Sequence, residues 1–311
     1  MKTHTQDFSR RRFLQGCGLT AAALALGPRL AWAADSFQLR YLLASSLYGT
    51  LPLAEILPEV ARSGSDAIDI WPLKHGNQRE QITAMGNEKF AALLKQHNVK
   101  LGCLTRFDLG PFKLGPELEF GQQFGAKLIV TGSGGNGKLT GDELKGAIRN
   151  FVEQMKPHVE AATKAGIVLG IENHGSTMLA TPDSIRWFAE LSPSNNLGVA
   201  LAPYHLPQEP KLLASLITDL GPKLALFYGW EFGKGCMKKL PKDEELQQLP
   251  GRGSLDFTPL LAALRKINYA GWISVFMHPT PRGIPILPTA GEVTGAVNQA
   301  RKHLSTCLAK T

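Results

Sequence analysis

Glu172 closes an apolar run, Val168-Leu169-Gly170-Ile171, and is followed at once by Asn173, His174 and Gly175. A parallel strand covered on both faces is apolar throughout. An abrupt carboxylate, amide and imidazole therefore mark where such a strand leaves the core. In strand–helix barrels that end of the strand is where chemistry sits. A carboxylate placed there can move a proton or hold a cation. It can equally cap the next helix or pair with a buried base, and this stretch alone leaves both readings open.

Other chemistry-bearing residues follow apolar runs in the same way. His75 follows one, Arg106 and Asp108 another, and His205 lies in Ala200-Leu201-Ala202-Pro203-Tyr204-His205. Tyr228, Trp230 and Glu231 close a further run, and His278, then Arg282, follow the last. A single strand-end histidine is more often structural than catalytic. Several at the same end of successive strands point to a shared site. Trp71, Trp230 and Tyr204 at these strand ends are candidates for stacking on a ligand face, although core packing is the commoner fate of such aromatics.

These residues need a scaffold that brings strand ends together. Eight β-rich runs, at 39–44, 67–71, 100–104, 127–131, 167–172, 197–201, 224–230 and 272–277, alternate with helical patterns. The clearest helix is 142–165, where Leu144, Ile148, Phe151, Met155 and Val159 recur at helical spacing. Thr140 with Glu143 reads as a capping box, Gly166 as the stop, and Pro157 predicts a kink or break. Thr258-Pro259 opens a helix over 260–267. Eight strands alternating with helices predict a single (β/α)8 TIM barrel over 34–311. No G-x-G-x-x-G follows the first strand, which weighs against dinucleotide binding. The segment 232–254 carries Lys234, Lys238, Lys239 and Lys242 and reads as either a lid on the functional rim or a solvated insertion.

The first 33 residues read as an address. Ser9-Arg10-Arg11-Arg12-Phe13-Leu14 is a twin-arginine signature, an apolar segment follows, and Ala31-Trp32-Ala33 offers a cleavage site. The segment is too short to span a bilayer, so the expectation is a periplasmic or secreted protein with no stable membrane anchor. This leader holds five basic residues and one acid, about half of the chain's formal charge of +8. The remaining roughly +4 is too mild to suggest nucleic acid as a partner. Cys103, Cys236 and Cys307 fit no zinc spacing.

The chain resembles the sugar phosphate isomerase/epimerase superfamily, the xylose isomerase-like barrels. The resemblance rests on Gly170-Ile171-Glu172-Asn173-His174, on Ala202-Pro203-Tyr204-His205, and on Pro250-Gly251-Arg252-Gly253-Ser254-Leu255-Asp256-Phe257. It implies a small-molecule carbohydrate as partner. It also implies a divalent metal that polarises a sugar carbonyl while two glutamates move the neighbouring proton. Carried over residue by residue, only Glu172 keeps its ligand type. Ala202, Tyr228 and His278 stand where an Asp, a His and a Glu are expected.

Three readings follow from that departure. A changed set, Glu172, His205, Glu231 and His278, binds Zn, Mn, Fe or Co. Or Glu172 and His278 act as a metal-free acid–base pair, with Arg282 or Arg106 holding negative charge. Or catalysis is lost and the barrel only binds a carbohydrate. Together they predict an exported carbohydrate isomerase, epimerase or lyase working next to a sugar carbonyl, with a carbohydrate-binding barrel as the rival. For the enzyme, Glu172 and His278 are the catalytic candidates. His205, His174, Trp230, Arg282, Arg106 and His75 are the candidate substrate contacts.

Overall fold

The computed structural model describes residues 37–236 and 238–311. The twin-arginine segment and its cleavage site lie outside the described residues.

Eight parallel strands close into a barrel in sequence order. They are β1 (Arg40–Ala44), β2 (Ala67–Ile70), β3 (Leu101–Thr105), β4 (Leu128–Gly132), β5 (Val168–Glu172), β6 (Leu197–Leu201), β7 (Leu224–Gly229) and β8 (Trp272–Val275). β8 returns to β1 through Arg40 opposite Trp272 and Tyr41 opposite Ile273. The strands are apolar because one face fills the barrel and the other meets the helix layer. All eight predicted runs are strands, with ends displaced by at most two residues.

The helix Gly141–Ala165 shows why this sequence takes its place in the outer layer. Leu144, Ile148, Phe151, Val152, Met155, Val159 and Ala162 form its buried face. Fully burying each large side chain contributes about 1.5–3 kcal/mol. Truncating Ile148 or Met155 to alanine, both fully enclosed, would cost about 2–5 kcal/mol. The capping-box expectation is corrected here, and of the kink or break expected at Pro157 the break does not occur. The helix runs through Pro157 without a break, and Thr140 is its N-cap residue but makes no side-chain capping bond. The packed face outweighs the one backbone bond that Pro157 cannot donate. Gly166 does end the helix, in the left-handed conformation that glycine adopts at no steric cost. The helix opened by Thr258 and Pro259 runs Thr258–Lys266.

The segment 232–254 is fastened to the barrel. Cys236 N donates to Tyr204 Oη at 3.0 Å, and Thr280 Oγ1 donates to the Gly235 carbonyl at 2.9 Å. A short helix, Lys242–Glu245, places Glu245 Oε1 2.7 Å from the amide of Thr280. The three cysteines among the described residues are buried and unpaired. No helix among the described residues is long and apolar enough to cross a membrane.

Candidate active site

Glu172 is the last residue of β5, and its register partner on β6 is Ala200. The next residue locks the strand ends together. Asn173 Nδ2 donates to the Ala202 carbonyl at 3.0 Å, and Asn173 Oδ1 accepts the Ala202 amide at 2.7 Å. The amide side chain thereby extends the β5–β6 ladder by one rung. Asn173 is thus a fastener rather than a substrate contact. The sequence signal for it is the amide residue directly after Glu172, the last residue of β5.

Glu172, His75, His174, His205, His278 and Arg282 line one cavity of about 220 Å³ at the carboxyl ends of the strands. His205 Nε2 lies 3.8 Å from Glu172 Oε1. That is too long for a hydrogen bond, and Nε2 is buried without any partner among the described residues. At 3.8 Å there is no room for an atom between them, so a hydroxyl that contacts both must sit to one side of the pair. The imidazoles come as two pairs. His174 lies against His205 with ring centroids 4.1 Å apart, and His75 stacks on His278 at 4.6 Å. Gln248 holds His278 by its backbone, donating to its carbonyl at 2.9 Å and accepting its amide at 3.2 Å. The same side chain accepts Trp230 Nε1 at 3.0 Å. This clamp has no local sign in the sequence, because Gln248 comes from the long connection.

Burial sets the protonation states. It pushes the Glu172 carboxyl up to about 8, with nearby Asp69 raising it further and the Tyr228 hydroxyl opposing. Tyr228 is enclosed beside Glu172 without a formed hydrogen bond of good geometry, and burial raises its own hydroxyl well above the ordinary range. Burial, with Arg282 adding repulsion, lowers all four imidazoles. His205 falls to about 3 and His75 to about 4, and His174 and His278 are lowered as well. At neutral pH the site therefore holds four neutral imidazoles, each one donor and one acceptor. They stand around one carboxyl that titrates near neutrality and one guanidinium.

Several of the expected site residues lie elsewhere, each for a physical reason. Arg106 is fully engaged, bidentate to Asp108 at 3.0 and 2.7 Å and paired with Glu117 at 2.5 Å. Trp230 and Trp71 are enclosed. Trp230 stacks on Tyr204 at 4.2 Å, so its ring faces protein instead of a sugar. Glu231 turns away from the cavity. Its Oε1 accepts Gly251 N at 3.0 Å and its Oε2 accepts Leu255 N at 2.7 Å. A Cβ at Gly253 would lie 2.5 Å from Glu231 Oε2, so only glycine lets the loop close over this carboxylate. Asp69, Gln248 and Cys236 escape a reading of the sequence alone; Cys236 also lines the cavity.

These residues do not fit a divalent-cation centre. Ala202 brings no donor, Tyr228 holds its proton tightly, and Glu231 is spent on loop amides. No three His, Cys, Asp or Glu side chains among the described residues converge on one point.

The profile of the xylose isomerase-like TIM barrel family matches residues 57–289. No curated protein matches the chain. Solved structures do match in fold. The zinc-bound IolI protein is 17% identical, covering 88% of this chain and 99% of its own, with a TM-score of 0.65. D-psicose 3-epimerase solved with D-fructose is 17% identical over 87% and 99%, also at 0.65. The 3-keto-D-glucoside 4-epimerase YcjR from E. coli is 16% identical over 85% and 100%, at 0.63. At such identities the likeness is one of fold; the profile match over most of the barrel decides membership. The chain belongs to the xylose isomerase-like TIM barrel family.

Proposed function

We propose that the protein is a carbohydrate isomerase or epimerase that moves a proton at the carbon next to a sugar carbonyl, with Glu172 as its acid–base residue. The observation that carries this is the pairing of a buried carboxyl, poised at about 8, with an unpartnered imidazole nitrogen 3.8 Å away. A general acid–base works best when its pKa lies near the working pH. A sugar hydroxyl that reaches both atoms from the cavity side would place its neighbouring C–H against Glu172. The carboxylate takes that proton and returns it to the adjacent carbon.

The oxygen proton travels separately. Neutral His205 passes it through Nε2 from the hydroxyl to the former carbonyl oxygen, receiving one proton and delivering one, so that the ring ends the cycle uncharged and unchanged. Arg282, on the cavity wall, stabilises the enediolate oxygen electrostatically. For epimerisation the second face needs its own donor, and His278 is the candidate across the cavity. Fold relatives named as D-psicose 3-epimerase and 3-keto-D-glucoside 4-epimerase support a sugar as substrate class. With the twin-arginine leader read as an export signal, the substrate would be a free, oxidised or glycosidic sugar met in the periplasm or outside the cell.

The loss of donors at Ala202 and Tyr228 favours one second reading, a barrel that binds a carbohydrate without turning it over. Solvent-deuterium exchange into a panel of ketoses and keto-glycosides, followed by NMR, separates the two. Exchange that disappears in Glu172→Gln supports the enzyme. Saturable binding with no exchange overturns it in favour of the binding protein.

A further inference from the structure

Asp69 lies in β2, whose four residues are all buried. It is the only charged residue in Ala67-Ile68-Asp69-Ile70-Trp71 and is fully enclosed. Its Oδ2 accepts Trp71 Nε1 at 2.6 Å and Thr105 Oγ1 at 2.8 Å. Oδ1 has no partner among the described residues. The proposed chemistry uses none of these atoms.

Trp71 links this carboxyl to the site. Its indole stacks on Phe276 at 5.1 Å and 21°. Its edge meets His75 at 5.3 Å and 74°, and His278 at 5.8 Å and 83°. His75 and His278 stack on each other, so a tilt of the indole displaces both rings. An indole offers one polar atom, its N–H. A single acceptor therefore fixes the rotation of this ring, and Thr105 in turn fixes the acceptor.

We propose that Asp69 is a positioning residue. It locks the Trp71 indole and thereby sets the orientation of the His75–His278 pair without touching substrate. The proposal rests on His278 being a working group of the cavity. Burial holds the Asp69 carboxyl at about 7, among Cys103, Tyr228 and Glu172, so a proton on Oδ1 is compatible with this role. A neutral amide should then replace the carboxyl.

The test needs no substrate, so its failure and that of the proposed activity are distinguishable. The full chain is labelled and the Trp71 indole N–H and the histidine ring signals are followed by NMR in Asp69→Leu and Asp69→Asn. Asp69→Leu is expected to shift the Trp71 indole signal and the rings of His75 and His278, leaving His158 and His303 in place. Asp69→Asn, which keeps the acceptor, is expected to leave all of them near the wild-type positions. Should the leucine variant fail to fold, Asp69→Ser removes the same reach with less bulk and carries the comparison. On a turned-over sugar, loss of orientation should lower kcat about tenfold with KM unchanged, since misplacement of a catalytic group acts on the reacting geometry. A shifted Trp71 signal with unmoved His75 and His278 would overturn the proposal and leave Asp69 a packing residue.

Discussion

His205 Nε2 and Glu172 Oε1 face each other across 3.8 Å, both on buried side chains, and the imidazole nitrogen has no other partner among the described residues. A buried polar atom without a partner costs about 1–3 kcal/mol, so such a pair persists where a ligand supplies the missing contact. Glu172→Gln and His205→Phe should each lower C–H exchange by a factor of about 10² to 10⁴. The double variant should fall little further than either single, because the two act on one bound hydroxyl. Fully additive losses would show that they serve separate steps.

The same burial predicts how stability responds to pH. Glu172 rises from its ordinary 4.5 to about 8 on folding, so the folded state binds its proton more tightly. Its contribution is complete below 4.5 and is lost as pH climbs towards 8. His205 and His75 behave oppositely, falling from 6.5 to about 3 and 4. Their contribution is complete above 6.5 and is lost as pH falls towards 3. Thermal unfolding across pH 4 to 9 should show Glu172→Gln flattening the alkaline side and His205→Phe flattening the acid side. A kcat/KM profile should rise through pH 8 in the wild type, with the limb absent in Glu172→Gln.

The barrel was legible because strands buried on both faces must be apolar, and turns and helices separate them at regular intervals. What the chain order leaves open is the direction of polar side chains near strand ends. Glu172 and Glu231 both follow apolar runs. Glu172 is the terminal residue of β5 and points into the cavity. Glu231 lies beyond β7 and is captured by the amides of Gly251 and Leu255. Arg106 likewise finds Asp108 two residues on and Glu117 on the next helix. Asp69 sits mid-strand, away from the strand ends where site residues are read, although a lone charge in Ala-Ile-Asp-Ile is itself a sign of a buried partner.

Glu231 is a structural anchor by the same geometry, and its variants should separate from those of Glu172. Glu231→Ala strands two loop amides, each costing about 1–3 kcal/mol if unsatisfied. Glu231→Gln keeps one acceptor and should cost less. Calorimetry should show a lower Tm in the order wild type, glutamine, alanine. A Glu231→Ala protein as stable as wild type would show that water replaces both contacts.

Metal dependence gives a direct contrast with the donor set that the family resemblance implies. With Ala202, Tyr228 and His278 at the expected ligand positions, and the substitute donor Glu231 held by loop amides, protein purified without chelator should hold less than stoichiometric Zn, Mn, Fe or Co by elemental analysis. Added Mn²⁺ or Zn²⁺ should leave Tm unchanged, whereas a ligand bound at 100 times its Kd would stabilise by about 2.7 kcal/mol. A shift of that size that vanished in Glu172→Gln would place a cation at this carboxyl and overturn the metal-free mechanism.

Arg282 is expected to carry the charge work that a cation would otherwise do, and it leaves a mark on the resting protein. Its guanidinium donates to the Pro279 carbonyl at 3.1 Å and lines the cavity beside the imidazoles. It contributes to the lowered pKa of His75, His174, His205 and His278, second to burial at three of them and after both burial and His174 at His205. Arg282→Gln should therefore raise all four titrations towards the ordinary histidine value, without reaching it because burial remains. Arg282→Lys should keep most of the depression while losing the planar fork that suits an enediolate oxygen. The two variants thus part the roles. If both slow C–H exchange while only glutamine moves the histidine titrations in NMR, Arg282 acts on the reacting oxygen. If exchange follows the titrations alone, its part is confined to keeping the imidazoles neutral.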